Sequence, residues 1–229
     1  MKISMKTTLS VIVAIVFCGL AVATPASAQM MRGGGPPQFA GLFNPTIGLG
    51  AAYEIQSKDG TKKNMEMAIV GKDAADGKDA YWWEMAITDE KMGGEMVIKT
   101  LLVLDGANSH SAKTIMQLPG RPPMEMPAGM GRGDHSRVPT DVRTDAEDVG
   151  SETITVPAGT FTAEHYRAKD GSSDTWVSKG AGPYGLVKHQ GKDSTMVLTK
   201  VIPDYKDKIT GTPQPFNPMM MQRGGQQPQ

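Results

Sequence analysis

Between residues 49 and 202 apolar and polar side chains alternate with a period of two, and this alternation limits what the chain can fold into. Leu49, Ala51, Tyr53 and Ile55 alternate with Gly50, Ala52, Glu54 and Gln56, and Met65, Met67 and Ile69 with Asn64, Glu66 and Ala68. Tyr81, Trp83, Met85 and Ile87 share one face, and Trp82, Glu84 and Ala86 the other. Over 96–104, Met96, Ile98, Leu102 and Leu104 are opposed by Val97, Leu101 and Val103, so that strand is apolar on both sides and belongs at the centre or under a cover. Ala112, Thr114, Met116 and Leu118 supply a fifth strand. Period two with one apolar face is the mark of antiparallel sheet.

The turns agree. Asp59-Gly60, Asp76-Gly77, Asp105-Gly106 and Asp170-Gly171 fall between apolar runs, and Asp-Gly supplies the positive φ values that tight hairpins need. A second group of strands is expected at 152–156, 160–168, 173–178, 184–190 and 194–202. Residues 119–150 form a long Pro-, Met- and Gly-containing loop, with a single helical turn near 145–149. The expected fold is mainly β: a single antiparallel curved sheet of about ten strands, half-barrel or barrel-like, with no long amphipathic helix.

The ends read differently. Lys2 and Lys6 precede an apolar run from Leu9 to Val22, and Ala26-Ser27-Ala28 fits a small-x-small cleavage site. Residues 1–28 are therefore expected to be a cleaved signal peptide, and the mature chain to be periplasmic or secreted. Cys18, the chain's one cysteine, follows bulky Phe17 where a lipidation site has a small residue. Without residues 1–28 the chain carries 22 cationic and 24 anionic side chains and no thiol. That balance gives nucleic acid no bulk attraction. Residues 29–44 form a flexible segment, 45–205 the β domain, and 206–229 a disordered tail rich in Gln, Pro and Met.

The C-terminal half carries family-like text. It runs through Val149-Gly150-Ser151-Glu152-Thr153-Ile154, Pro157-Ala158-Gly159-Thr160-Phe161 and His165-Tyr166-Arg167. Asp174-Thr175-Trp176-Val177-Ser178 and Gly182-Pro183-Tyr184-Gly185-Leu186-Val187-Lys188 follow. This resembles exported bacterial proteins of the LolA/LppX-like lipoprotein-carrier superfamily, most closely over about 55 residues. The resemblance implies a curved half-barrel whose concave face holds an acyl chain or another apolar ligand, and it implies no catalytic residues. Trp83, Met85, Met96, Ile98, Met116, Trp176 and Met196 are the candidate ligand-binding residues. Their physical fitness is separate from the resemblance, because methionine is unbranched, polarizable and adaptable.

Other chemistries have weaker support. Met124, Met126, Met130 and His135 form the best cluster for soft-metal binding, with Met219, Met220 and Met221 next, so copper handling is an alternative function. A structural interaction module of the envelope is another. Three Gly-Lys-Asp sequences lie outside a phosphate-loop frame. Gly171-Ser172-Ser173-Asp174 is a turn and not a nucleophile elbow, and Arg132-Gly133-Asp134 is a short tripeptide in the long loop. Glu54, Glu66, Glu84 and Glu95 fall on polar strand faces and are expected to be solvated. Tyr166 is expected to point inward with its hydroxyl hydrogen-bonded, and His165 outward. No enzyme activity, cofactor or metal is expected; the mature protein should be a monomer with a lipid or other apolar small molecule as its partner.

Overall fold

The structure is a computed structural model that describes residues 42–89, 93–105, 108–127, 138–139 and 141–217. Residues 1–28, Met130, His135 and Met219 to Met221 lie outside the described residues.

Thirteen strands are described: β1 (Gly50–Ser57), β2 (Lys62–Ala75), β3 (Lys78–Asp89), β4 (Gly94–Asp105), β5 (Asn108–Gln117), β6 (Met124–Glu125), β7 (Val138–Pro139), β8 (Ala146–Val156), β9 (Gly159–Ala168), β10 (Ser173–Val177), β11 (Leu186–Gly191), β12 (Ser194–Ile202) and β13 (Gln214–Pro215). Ten have five residues or more, and β6, β7 and β13 have two each. They make one open, curved sheet in the order β13-β6-β5-β4-β3-β2-β1-β12-β11-β10-β9-β8, with β7 beside β5. The sheet is therefore two meanders, β1–β5 and β8–β12, joined where β1 pairs with β12. Every described pairing is antiparallel except β13 with β6. The β2–β3 hairpin turns on Asp76 (φ 53) and Gly77 (φ 70), the pair of positive values that a two-residue turn needs to follow the strand twist.

Register assigns two faces. Tyr53, Met65 and Ile87 are cross-strand neighbours, as are Met67, Met85 and Ile98. This apolar face contains most of the main core. The loop 178–186 lies against it at β1. Tyr53 donates its hydroxyl to the Leu186 carbonyl (3.1 Å) and lies 3.4 Å from that of Ala181. Residues 42–44 lock this loop down: the Leu42 and Asn44 amides donate to the Tyr184 and Pro183 carbonyls, and the Phe43 and Tyr184 rings are 5.0 Å apart.

The opposite face of β1–β5 carries a strap from the C-terminal segment. The Tyr205 amide donates to the Gly48 carbonyl, the Tyr205 ring fills the space over Gly50, and Ile209 is buried with Ala86, Val97 and Ile115. Within residues 206–217, read from composition as the start of a disordered tail, Asp207, Lys208 and Ile209 lie on the sheet and Gln214–Pro215 pair with β6. Tyr205 and Ile209 supply apolar area that the surrounding Pro- and Gln-rich composition conceals. The long loop is also shorter than expected. It contains β6 and β7, its helical turn is a 3₁₀ turn at Val142–Thr144, and β8 begins at Ala146. The Asp141 carboxylate caps that turn by accepting from the Arg143 amide.

Candidate functional site

Six of the seven ligand-binding candidates share the apolar face. Met85, Ile98 and Met116 are consecutive cross-strand neighbours on β3, β4 and β5, and Met196 on β12 lies opposite Ile55. Trp83, Met85, Ile98 and Met196 are buried, while Met96 and Met116 are half-buried against the same cluster. With Met65 and Met67, six methionines lie on this face. Trp176 also packs against this cluster, but its place in the strand register is on the other face. It pairs with Lys188, whereas the adjacent Thr175 pairs with His189 and so with Met196, and side chains alternate faces along a strand. Its indole stacks on His165 at 4.4 Å with the Lys188 ammonium 4.6 Å from its centroid, and its N–H donates to Glu152.

On β3, β4 and β5 the apolar face carries a polar patch. Trp83 sits directly opposite Thr100, and Thr100 opposite Thr114. The two threonine hydroxyls are 3.5 Å apart, and Thr114 is 3.1 Å from the Ser111 hydroxyl. The Trp83 indole N–H is buried and has no hydrogen-bond partner. Alternation places Trp83 on this face, but Thr100 has no distinguishing signal within an otherwise apolar strand.

The opposite face overturns the expectation for Glu84. It is fully buried, not solvated, because the strap crosses it. The Lys208 amide donates to both carboxylate oxygens, at 3.1 and 3.3 Å. Around it the Lys208 ammonium bridges Glu66 (2.8 Å) and Glu95 (2.6 Å), and Lys99 pairs with Asp207. Burial, with a hydrogen bond to neighbouring Asp207 that favours the protonated form, pushes Glu84 up to about 7, against the opposing pull of the Lys208 amide. The buried Tyr205 hydroxyl has no geometric hydrogen-bond partner; burial and the nearby Glu84 charge raise its pKa. Glu54 remains at the surface, paired with Lys62 at 3.0 Å.

The second meander holds another polar group. His165 is 2.7 Å from Asp174 and 3.3 Å from Glu152, and Arg167 donates to Asp174 at 2.9 Å. Burial opposes ionisation of Asp174, but the bonds from His165 and Arg167 outweigh it and hold this carboxyl below its ordinary range. Tyr166 points inward as expected, and its hydroxyl donates to Glu164 at 2.7 Å. Met124 and Met126 of the soft-metal cluster are buried, with Met124 paired in the sheet to Met116.

No protein-family model matches the chain, and no curated protein does. Several solved structures do. A protein described as exported and of YmcC-like fold, from Bacteroides fragilis, is 13% identical over 71% of this chain and 99% of its own, with a TM-score of 0.34. A chain of the MucA/MucB complex from Pseudomonas aeruginosa is 8% identical over 67% of this chain and 50% of its own, with a TM-score of 0.39. A LolA-superfamily protein from Nitrosomonas europaea is 9% identical over 75% of this chain and 93% of its own, with a TM-score of 0.26. At such identities and scores the likeness assigns no ligand, partner or activity to this chain. The solved structures that this chain matches thus include an exported protein of YmcC-like fold and a LolA-superfamily protein.

Proposed function

We propose that this chain is an exported binding module that holds an acyl chain or another apolar ligand on the apolar face of its sheet. Its export is inferred from residues 1–28, and the binding reading needs no catalytic group. The observation that carries it is the continuous apolar face across β12, β1, β2, β3, β4 and β5, on which register gathers six methionines. A filled core serves with rigid, well-defined side chains, whereas a surface that must fit variable chains does better with unbranched, polarizable ones. Burial of a hydrocarbon chain on such a face contributes about 0.8 kcal/mol per methylene, enough for a long acyl chain to bind without ion pairs.

Native mass spectrometry of the protein purified without detergent from its own cells should show a co-purifying lipid mass. A fluorescent fatty-acid probe added to lipid-stripped protein should gain intensity and saturate. Protein that carries no small molecule and binds no probe would end this reading.

A further inference from the structure

On that reading of the apolar face, we propose that Trp83 donates a hydrogen bond to a carbonyl oxygen of the ligand, so that the face selects acyl esters and related carbonyl compounds over plain hydrocarbon. The warrant is an incomplete hydrogen-bond inventory. An indole N–H is a donor only, and buried donors are nearly always matched. Trp83 is only 5% exposed, and its N–H has no partner. The neighbouring hydroxyls are engaged with one another, Thr100 with Thr114 and Thr114 with Ser111. They make this stretch of the face locally polar, and the indole N–H is the buried donor there without any partner.

The rest of the face sets what kind of acceptor suits it. Met85 and Ile98 lie one step along the strands from Trp83 and Thr100. A ligand reaching Trp83 therefore runs along apolar side chains and meets an unpartnered indole donor. A group with one strong acceptor and a long hydrocarbon chain satisfies both, and an acyl ester is the simplest such group. A free carboxylate suits the patch less well, because none of Trp83, Thr100, Thr114 and Ser111 carries a positive charge.

The test uses the full chain, stripped of lipid, and two probes of matched chain length, methyl oleate and 1-octadecene, each displacing a fluorescent fatty-acid probe. Wild-type protein should take methyl oleate more tightly. Trp83→Phe, which keeps an aromatic ring and removes the donor, should weaken methyl oleate about three- to tenfold more than it weakens 1-octadecene. The ¹⁵N–¹H indole resonance of Trp83 in wild-type protein gives a reading that does not depend on the variant's folding, and it should shift with methyl oleate alone. If both probes bind alike and that resonance stays still, the hydrogen-bond assignment is wrong and the apolar-ligand reading stands. If neither probe displaces the fatty acid analogue, and the analogue itself does not bind, both fall together.

Discussion

At Gly182 the backbone has φ +90°, and a Cβ built there would lie 2.5 Å from the Ala51 side chain. The close approach arises because the 178–186 loop presses its backbone onto β1. Gly180 in the same loop has nearly the same φ, +83°, but faces open space. The pair separates conformational strain from packing. Gly180→Ala should cost on the order of 1 kcal/mol through backbone strain alone. Gly182→Ala should cost roughly 2–4 kcal/mol, since it adds overpacking against a strand that cannot move away. Urea midpoints of the two variants measure the difference, and equal midpoints would refute the close approach. Gly182 stands in the text that resembles the lipoprotein-carrier superfamily, yet its role becomes visible only when Ala51, distant in sequence, is brought under it.

The C-terminal strap is the element that sequence reading misplaced. Alternation along β3 correctly assigns Glu84 to the face opposite Met85, but a period-two pattern says nothing about what later covers that face. Here the cover comes from Tyr205, Asp207, Lys208 and Ile209, embedded in Pro- and Gln-rich sequence, and it surrounds Glu84 with Glu66, Glu95, Lys99 and Asp207. The consequence is a pH dependence with a definite sign. Glu84 is raised from the ordinary carboxylate value of 4.5 to about 7 in the folded protein, so between those values the native state retains a proton that the unfolded chain releases. The stability contributed is fully present below about 4.5 and is lost as pH rises through about 7, by on the order of 3 kcal/mol at most. Denaturant unfolding should therefore show wild-type protein more stable near pH 5 than near pH 8. Glu84→Gln, uncharged at both, should reduce that difference; a variant with the full wild-type slope would show that Glu84 is not its source. The same limit explains Trp176, whose aromatic character suggested the apolar face. Only the pairing of Thr175 with His189 and of Trp176 with Lys188 shows which of the two points which way.

The two meanders share one core. Residues from both are in the main apolar cluster, among them Met65 and Met85 of the first and Leu186 and Leu198 of the second. Tyr53 of β1 donates its hydroxyl into the segment that follows β10. The halves should therefore unfold together. Trp176→Phe leaves fluorescence to Trp82 and Trp83 in the first meander, and a Trp82→Phe, Trp83→Phe double variant leaves it to Trp176 in the second. Within each variant, fluorescence and far-UV circular dichroism should give the same urea transition, whereas a fluorescence transition displaced from the dichroism curve would mean that the meanders open separately. At this scale the sequence carried the class, the antiparallel local pairings and nearly all the long strands, because hairpins are local and their turns are written in Asp-Gly. It did not carry the pairing of Gly50–Ser57 with Ser194–Ile202, which depends on the whole chain being present. That pairing also has a cost in time. Ribosomes add about 5–20 residues per second, so roughly 7–30 s separate the synthesis of β1 from that of β12. During that interval β1 and the apolar face beside it lack their neighbour, and the methionines of the nascent chain are open to contact with other chains.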